Sequence, residues 1–399
     1  MNKVILIPDS FKGTMSSTQI CSIMEQSILN YYPKATVVSL PIADGGEGSV
    51  DAFLAAIGGK RVTLSVTGPN FTPVEAYYGI VNDDTAIIEM ASAAGLPLAP
   101  QDGRPDQRTT YGVGELILDA ARRGCRKIIV GLGGSATNDG GVGAAAAVGV
   151  RFLRSDGESF IPVGQTLSDI ATIDMSTRDR LLDNIEIITM CDIDNPLYGA
   201  QGAAYVFSPQ KGANEEMVAF LDAQLRSLSA TVEECLSKDI SQLPGSGAAG
   251  GMGGGMVAFF DATLKMGIEV VLDTVRFDEQ LIGTDIVFSG EGRIDSQSLR
   301  GKVVMGVAKK TQAHHIPLIA IVGDIADPID DVYLGGVSAV FSINRVAKDF
   351  SQVMHRAPED LALTMDNLMR FLQLTRQYEV TSQFANRGFT LHTGNKKTT

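Results

Sequence analysis

Five predicted strands end in an acid: Asp9, Asp44, Asp192, Glu291 and Asp324. In open α/β sheets, ligands bind beyond the carboxyl ends of the strands, near a topological switch. Acids gathered there can hold a divalent cation or accept a proton. Each acid alone reads equally well as the cap of a following turn; as a set, meeting glycine-rich loops, they point to function. Lys12 stands just beyond the first strand in DSFKG (9–13), and its compact cation suits phosphate or carboxylate oxygens. From that fragment alone, a solvated lysine before a helix is as good a reading. The densest polar segment, SGEGRIDSQSLRGK (289–302), sets Glu291, Arg293, Asp295, Arg300 and Lys302 between a strand and a helix. Glycines spaced among charges suit an anion site, where Arg293 can fork onto a carboxylate or phosphoryl group.

A third candidate is GLGGSATNDGG (131–141), between a strand and a probable helix start. Gly133 and Gly134 let successive N–H groups converge, and a helix N-terminus adds its positive dipole end. Ser135 and Thr137 add hydroxyls, and Asn138 and Asp139 add polar ends, which together make a phosphate cradle. Gly131, Gly133 and Ala136 also match the dinucleotide fingerprint, but no acid stands at the ribose distance, so a nucleotide-cofactor oxidoreductase is the weaker reading. The sequence holds no P-loop, no G-x-S-x-G and no H-E-x-x-H. His314 and His315 precede a strand, His355 lies in a polar connection and His392 near the end, so proton acceptance falls to a carboxylate.

These groups need elements to position them. Strands are expected at 4–8 and 36–42, with a helix near 17–30 between them opened by the capping box Ser16 to Gln19. Near residue 59 the texture changes to a meander, 61–66, 74–81 and 85–91, where antiparallel pairing is expected. A helix near 112–123, strands at 127–132 and 186–192, and a long helix over 215–237 follow. After about residue 280, regular α/β alternation returns, with strands at 285–290, 317–324 and 339–343 and helices at 301–312 and 358–376. The pattern predicts an α/β protein of two domains: a discontinuous Rossmann/flavodoxin-like parallel-sheet domain from 1–58 and 280–376, and an inserted mixed-sheet α/β domain from 59–279. Residues 377–399 read as a polar, fraying tail.

The net charge of −13 argues against nonspecific binding to nucleic acid or an anionic membrane, both of which need a cationic surface. It leaves a small anionic substrate open, since a few local cations suffice. Cys21, Cys125, Cys191 and Cys235 form no CxxC pair and read as free thiols in a reducing compartment. The apolar run Val4 to Ile7 is too short for a signal peptide. The uncharged stretch from Ile240 to Phe260 holds seven glycines between Gly245 and Gly255 and is a poor membrane span. A soluble, cytoplasmic protein is expected, and a homo-oligomer is left open.

In order along the chain, DSFKG (9–13), PIADGGEGS (41–49), GGSATNDGG (133–141), CDIDNPLYG (191–199), PQKGA (209–213), GAAGGMGGG (247–255) and GEGRIDSQS (290–298) resemble the type 1 glycerate kinase family. The resemblance covers about residues 3–375. Thr109-Thr110-Tyr111-Gly112 departs from the family's frequent Thr-Ser-Arg-Gly, so no anion-binding role is carried to Tyr111. The resemblance implies ATP-dependent, Mg²⁺-assisted phosphorylation of D-glycerate to 2-phosphoglycerate, in a cleft between two α/β domains. On that basis Lys12, Asp192 and Arg293 are the expected catalytic residues, with Asp192 the first choice for Mg²⁺. Asp9, Ser10, Asp44, Glu47, Glu291 and Asp295 are expected to bind substrate or phosphate, along with Gly133, Gly134, Ser135, Thr137, Asn138 and Asp139. A non-enzymatic metabolite sensor on the same fold is the remaining alternative.

Overall fold

The structure is a computed structural model that describes residues 1–42, 48–99, 102–295 and 302–387, with side chains through Thr375. A five-stranded parallel sheet is built from Thr36–Ser39, Lys3–Pro8, Ile286–Gly290, Leu318–Val322 and Ala339–Ser342, in that spatial order. Val4, Ile5, Leu6 and Ile7 are all fully buried. Such continuous apolar runs belong to a parallel sheet covered on both faces. From the first strand the chain steps to one neighbour, then returns to place the remaining three on the other side. The order therefore reverses between Lys3–Pro8 and Ile286–Gly290, which makes their carboxyl ends a topological switch point.

The helix Ser17–Tyr31 opens on the expected capping box: Gln19 N–H donates to Ser16 Oγ at 3.2 Å, and Ser16 N–H donates to Gln19 Oε1 at 3.0 Å. Its buried face, Ile20, Met24 and Ile28, packs with Leu361, Met365 and Met369 of the last helix on one side of this sheet. Truncating any of these to Ala would cost about 2–5 kcal/mol. The last helix runs Ala357–Arg387, past the boundary expected near 376. Residues 377–387 contain no glycine or proline, and the first breaker is Gly388.

A six-stranded sheet takes its strands from residues 60–265. Lys60–Thr67, Pro73–Val81 and Thr85–Glu89 form the expected antiparallel meander. Lys127–Gly131, Glu186–Met190 and Thr263–Lys265 then add in parallel, each beside the one before it in the chain. This sheet grows in one direction and contains no reversal. Helix Ser49–Ile57 lies against the meander, where Val50 meets Gly79, and Gly267–Thr274 lies against Val303–Ala313, where Ile268 meets Gly306. One apolar cluster takes in Ile5 and Val287 of the smaller sheet and Ile87, Ile129 and Ile188 of the larger.

Two features carried no readable signal. Arg151–Leu153, Ser159–Phe160 and Thr172–Asp174 form a small antiparallel sheet of strands too short to show a period of two. The glycine-rich Ala248–Phe260 is a buried helix. A Cβ on Gly255 would stand 2.3 Å from Gly140 O, so its glycines serve close backbone packing. Among the described residues, no helix is long and apolar enough to cross a membrane.

Candidate active site

The switch point positions the first group of polar residues. Lys3–Pro8 and Ile286–Gly290 end in register, and Asp9 N–H donates to Gly290 O at 2.8 Å just beyond them. The chain then turns through DSFKG. Phe11 and Met15 are buried and exchange backbone hydrogen bonds of 2.9 and 3.0 Å, which anchors the turn and leaves Lys12 exposed at its tip. Gly13 sits at φ +81°, a left-handed conformation that favours glycine. Ser10 N–H donates to Asp9 Oδ1 at 2.6 Å.

The neighbouring loop comes close to the 321–323 backbone. A Cβ on Gly290 would lie 2.1 Å from Ile321 O, and one on Gly323 would lie 2.4 Å from Gly292 O. Beyond Glu291 the chain pairs again, Arg293–Ile294 with Asp324–Ile325, in a short parallel extension that holds Arg293. From the larger sheet comes Asp192, two residues past Glu186–Met190, with Oδ1 accepting from Gly267 N–H at 2.7 Å.

These residues surround one cavity of about 1170 Å³, and Asp9, Ser10, Lys12, Asp192, Glu291 and Arg293 all line it. Glu291 is buried, and burial pushes its carboxyl up to about 7, against the pull of Lys302 and with further upward pressure from Asp9 and Asp295. Lys302 Nζ stands 3.4 Å from Glu291 and 3.7 Å from Asp295. Cations and carboxylates facing one space can hold a phosphorylated or carboxylate ligand together with a hard cation. No three His, Cys, Asp or Glu side chains among the described residues are grouped as a metal site by themselves. Asp44 and Glu47 lie outside the described residues.

The loop expected to cradle phosphate lies elsewhere. None of Gly133, Gly134, Ser135, Thr137, Asn138 and Asp139 lines this cavity. Gly134 O accepts from Leu96 N–H at 2.9 Å and Ala136 N–H donates to Ala94 O at 2.9 Å, so the loop is stitched to a neighbouring segment. Thr137, Asn138 and Asp139 are fully buried. Asp139 accepts four hydrogen bonds, from Thr110 N–H (2.8 Å), Thr110 Oγ1 (2.9 Å), Gly141 N–H (3.1 Å) and Gly143 N–H (3.3 Å). Burial nevertheless raises its pKa above the ordinary carboxylate value. Ser208 Oγ donates to Asn138 Oδ1 at 2.7 Å, and Lys211 Nζ donates to Thr137 O at 2.5 Å. Lys211 is buried too, which drives its pKa down to about 7, with Asp139 opposing that shift and Arg108 adding to it. Gly250 completes the enclosure, since a Cβ there would stand 2.2 Å from Thr137 O.

Two groups escaped the sequence. Lys211 stands in the PQKGA motif, but the interior placement of Arg108 and Lys211 carries no local signal, because nothing in a linear motif marks a cation as interior. The segment after the edge strand Ala339–Ser342, with Asn344, Phe350 and Met354, forms a further wall of the cavity. The rule that pointed to the other strand ends applies there as well, but no acid or glycine cluster drew attention to it.

Comparison with known proteins gives a consistent answer. The pattern described as the glycerate kinase family matches residues 4–373. A glycerate kinase from Bacillus cereus is 44% identical over 368 residues, which cover 92% of this chain and 97% of that one. The glycerate 2-kinase of Escherichia coli is 43% identical over 343 residues, covering 86% and 90%. A crystal structure from Salmonella typhimurium LT2, provisionally named glycerate kinase 2, is 39% identical, covers 94% of this chain and 99% of its own, and superposes with a TM-score of 0.84. The chain belongs to the glycerate kinase family.

Proposed function

We infer that this protein transfers a phosphoryl group from ATP to D-glycerate and releases 2-phosphoglycerate. The observation that carries the reading is the cavity at the switch point, lined by Lys12, Arg293, Asp9 and Glu291, in a chain that matches the glycerate kinase family over residues 4–373. Phosphoryl transfer depends on positioning and charge neutralisation more than on covalent chemistry, and the cavity supplies both cations and hydrogen-bonding groups. In this reading Lys12 and Arg293 neutralise the transferring oxygens or the glycerate carboxylate, and Ser10 and Asp9 position the substrate.

The donor set of the cavity fits Mg²⁺, which takes oxygen ligands from one or two carboxylates plus substrate phosphates. Asp192 is the first candidate to hold it, ahead of Asp44, Glu291 and Asp295. When bound, the ion neutralises charge on the phosphates. Residues 137–139 serve as scaffold in this account, because the Thr137 carbonyl, Asn138 Oδ1 and the Asp139 carboxylate are engaged inside the protein. The oxidoreductase alternative loses its physical basis, since the fingerprint-like loop is stitched to residues 94–96. We further propose that 1–58 with 280–376 and 59–279 act as two domains whose closure excludes water, and that the enzyme works in the cytoplasm.

The test is a ³¹P NMR spectrum after incubation with D-glycerate, ATP and Mg²⁺. A 2-phosphoglycerate signal supports the reading. A 3-phosphoglycerate signal would move the transfer to the other hydroxyl, and no glycerate-dependent loss of ATP from folded protein would overturn it.

A further inference from the structure

The cavity is far larger than a three-carbon acid fills, and its walls are not uniform. One end carries Lys12, Glu291, Arg293 and Lys302. The other is formed by the segment after the edge strand Ala339–Ser342, where Ile343, Phe350, Val353, Met354 and Ala357 line the space together with Lys348, Asp349 and Asp360. Ile343 and Ala357 are buried beneath this wall, while Phe350 and Met354 stand 63% and 39% exposed. Two strand spacings separate the switch point from the edge strand, a distance of about 10 Å. A single space with Lys12, Arg293 and Lys302 at one end and, at the other, an open aromatic and thioether surface in a segment where Lys348 is offset by Asp349 complements a ligand with a polyanionic end and a flat apolar one.

We propose that the 343–357 wall is the subsite for the nucleotide base, with Phe350 as its stacking platform and Met354 beside it. The inference rests on ATP as the phosphoryl donor and names where its base sits. Stacking on an aromatic side chain is tolerant of base identity and is lost on truncation. Asn344 lines the same wall and can both donate to and accept from a base edge. The triphosphate then points toward Lys12 and Arg293, and glycerate occupies the remaining space at the switch point.

Phe350→Ala tests this, because the side chain is exposed and its loss leaves the core intact. The expected result is a rise of about tenfold in the KM for ATP and in the Kd for ADP. The KM for D-glycerate and the kcat at saturating ATP should stay within about twofold, and Phe350→Tyr should restore ATP affinity. Inorganic triphosphate is the control and should bind wild type and Phe350→Ala equally. An unchanged ATP KM in an active Phe350→Ala enzyme overturns the subsite while leaving the kinase reading in place. So does an equal loss of triphosphate binding. A wild-type protein that binds neither ATP nor ADP overturns the kinase reading itself.

Discussion

The segments 131–141 and 289–295 share a texture: each leaves a buried strand, mixes glycines with hydroxyls and charges, and carries at least one acid. Their physical situations are opposite. At 289–295 the polar side chains of Glu291 and Arg293 face a cavity. At 131–141 the carboxylate of Asp139 is closed in by four donors, and the backbone at Thr137 is met by Lys211. The difference lies in the sheets. The five-stranded sheet reverses its order beside 289–295, so the connections on either side diverge and leave a crevice. The six-stranded sheet grows in one direction past Lys127–Gly131, and later segments fold back over that strand end and fill the space. Sheet topology, more than loop composition, decides which of these glycine-rich turns faces the cavity.

This contrast can be broken by mutation. Asp139→Ala removes the acceptor for four buried donors and should destabilise the fold by about 3–5 kcal/mol, read from urea unfolding. A variant as stable as wild type with ATP affinity abolished would instead make Asp139 a ligand-binding residue. Gly250→Ala forces a side chain at φ +70° toward Thr137 O and should cost about 1–3 kcal/mol. Equal stability of that variant and wild type would mean that the loop yields easily and encloses little.

The smallest effect sharpens the account of Lys211. In the unfolded chain its ammonium holds a proton to about pH 10, whereas in the fold it releases it near 7. Between those values the unfolded state binds more protons, so stability should rise with pH by up to about 1.4 kcal/mol per unit. Lys211→Met should flatten that rise between pH 7.5 and 9. Parallel profiles for variant and wild type would show that the buried amine stays charged.

Much of the fold is legible from local rules. The capping box at Ser16, the antiparallel meander from residue 60 and the continuous apolar runs of the parallel strands all follow from spacing and side-chain type. Within the candidate site, Asp9, Ser10, Lys12, Asp192, Glu291 and Arg293 were found because each follows a strand end, and the structure brings them to one cavity. The distinction between 131–141 and 289–295 was not legible, since it depends on strand order and on Lys211, Ser208 and Gly250, which approach from distant parts of the chain. The wall around Phe350 was hidden for a related reason: an exposed aromatic in a polar connection looks ordinary until the opposite side of the cavity is in place.

The most direct test of the central claim, that phosphoryl transfer occurs at the switch point, is the steady-state kinetics of Arg293→Ala. Arg293 is exposed on the cavity wall, so the urea midpoint should stay at the wild-type value. A charged hydrogen bond to a bound group is worth roughly 10–150-fold, whereas a clamp on the transferring oxygens should lower kcat by about 10³-fold or more. The account predicts the larger fall; a kcat within tenfold of wild type would contradict it.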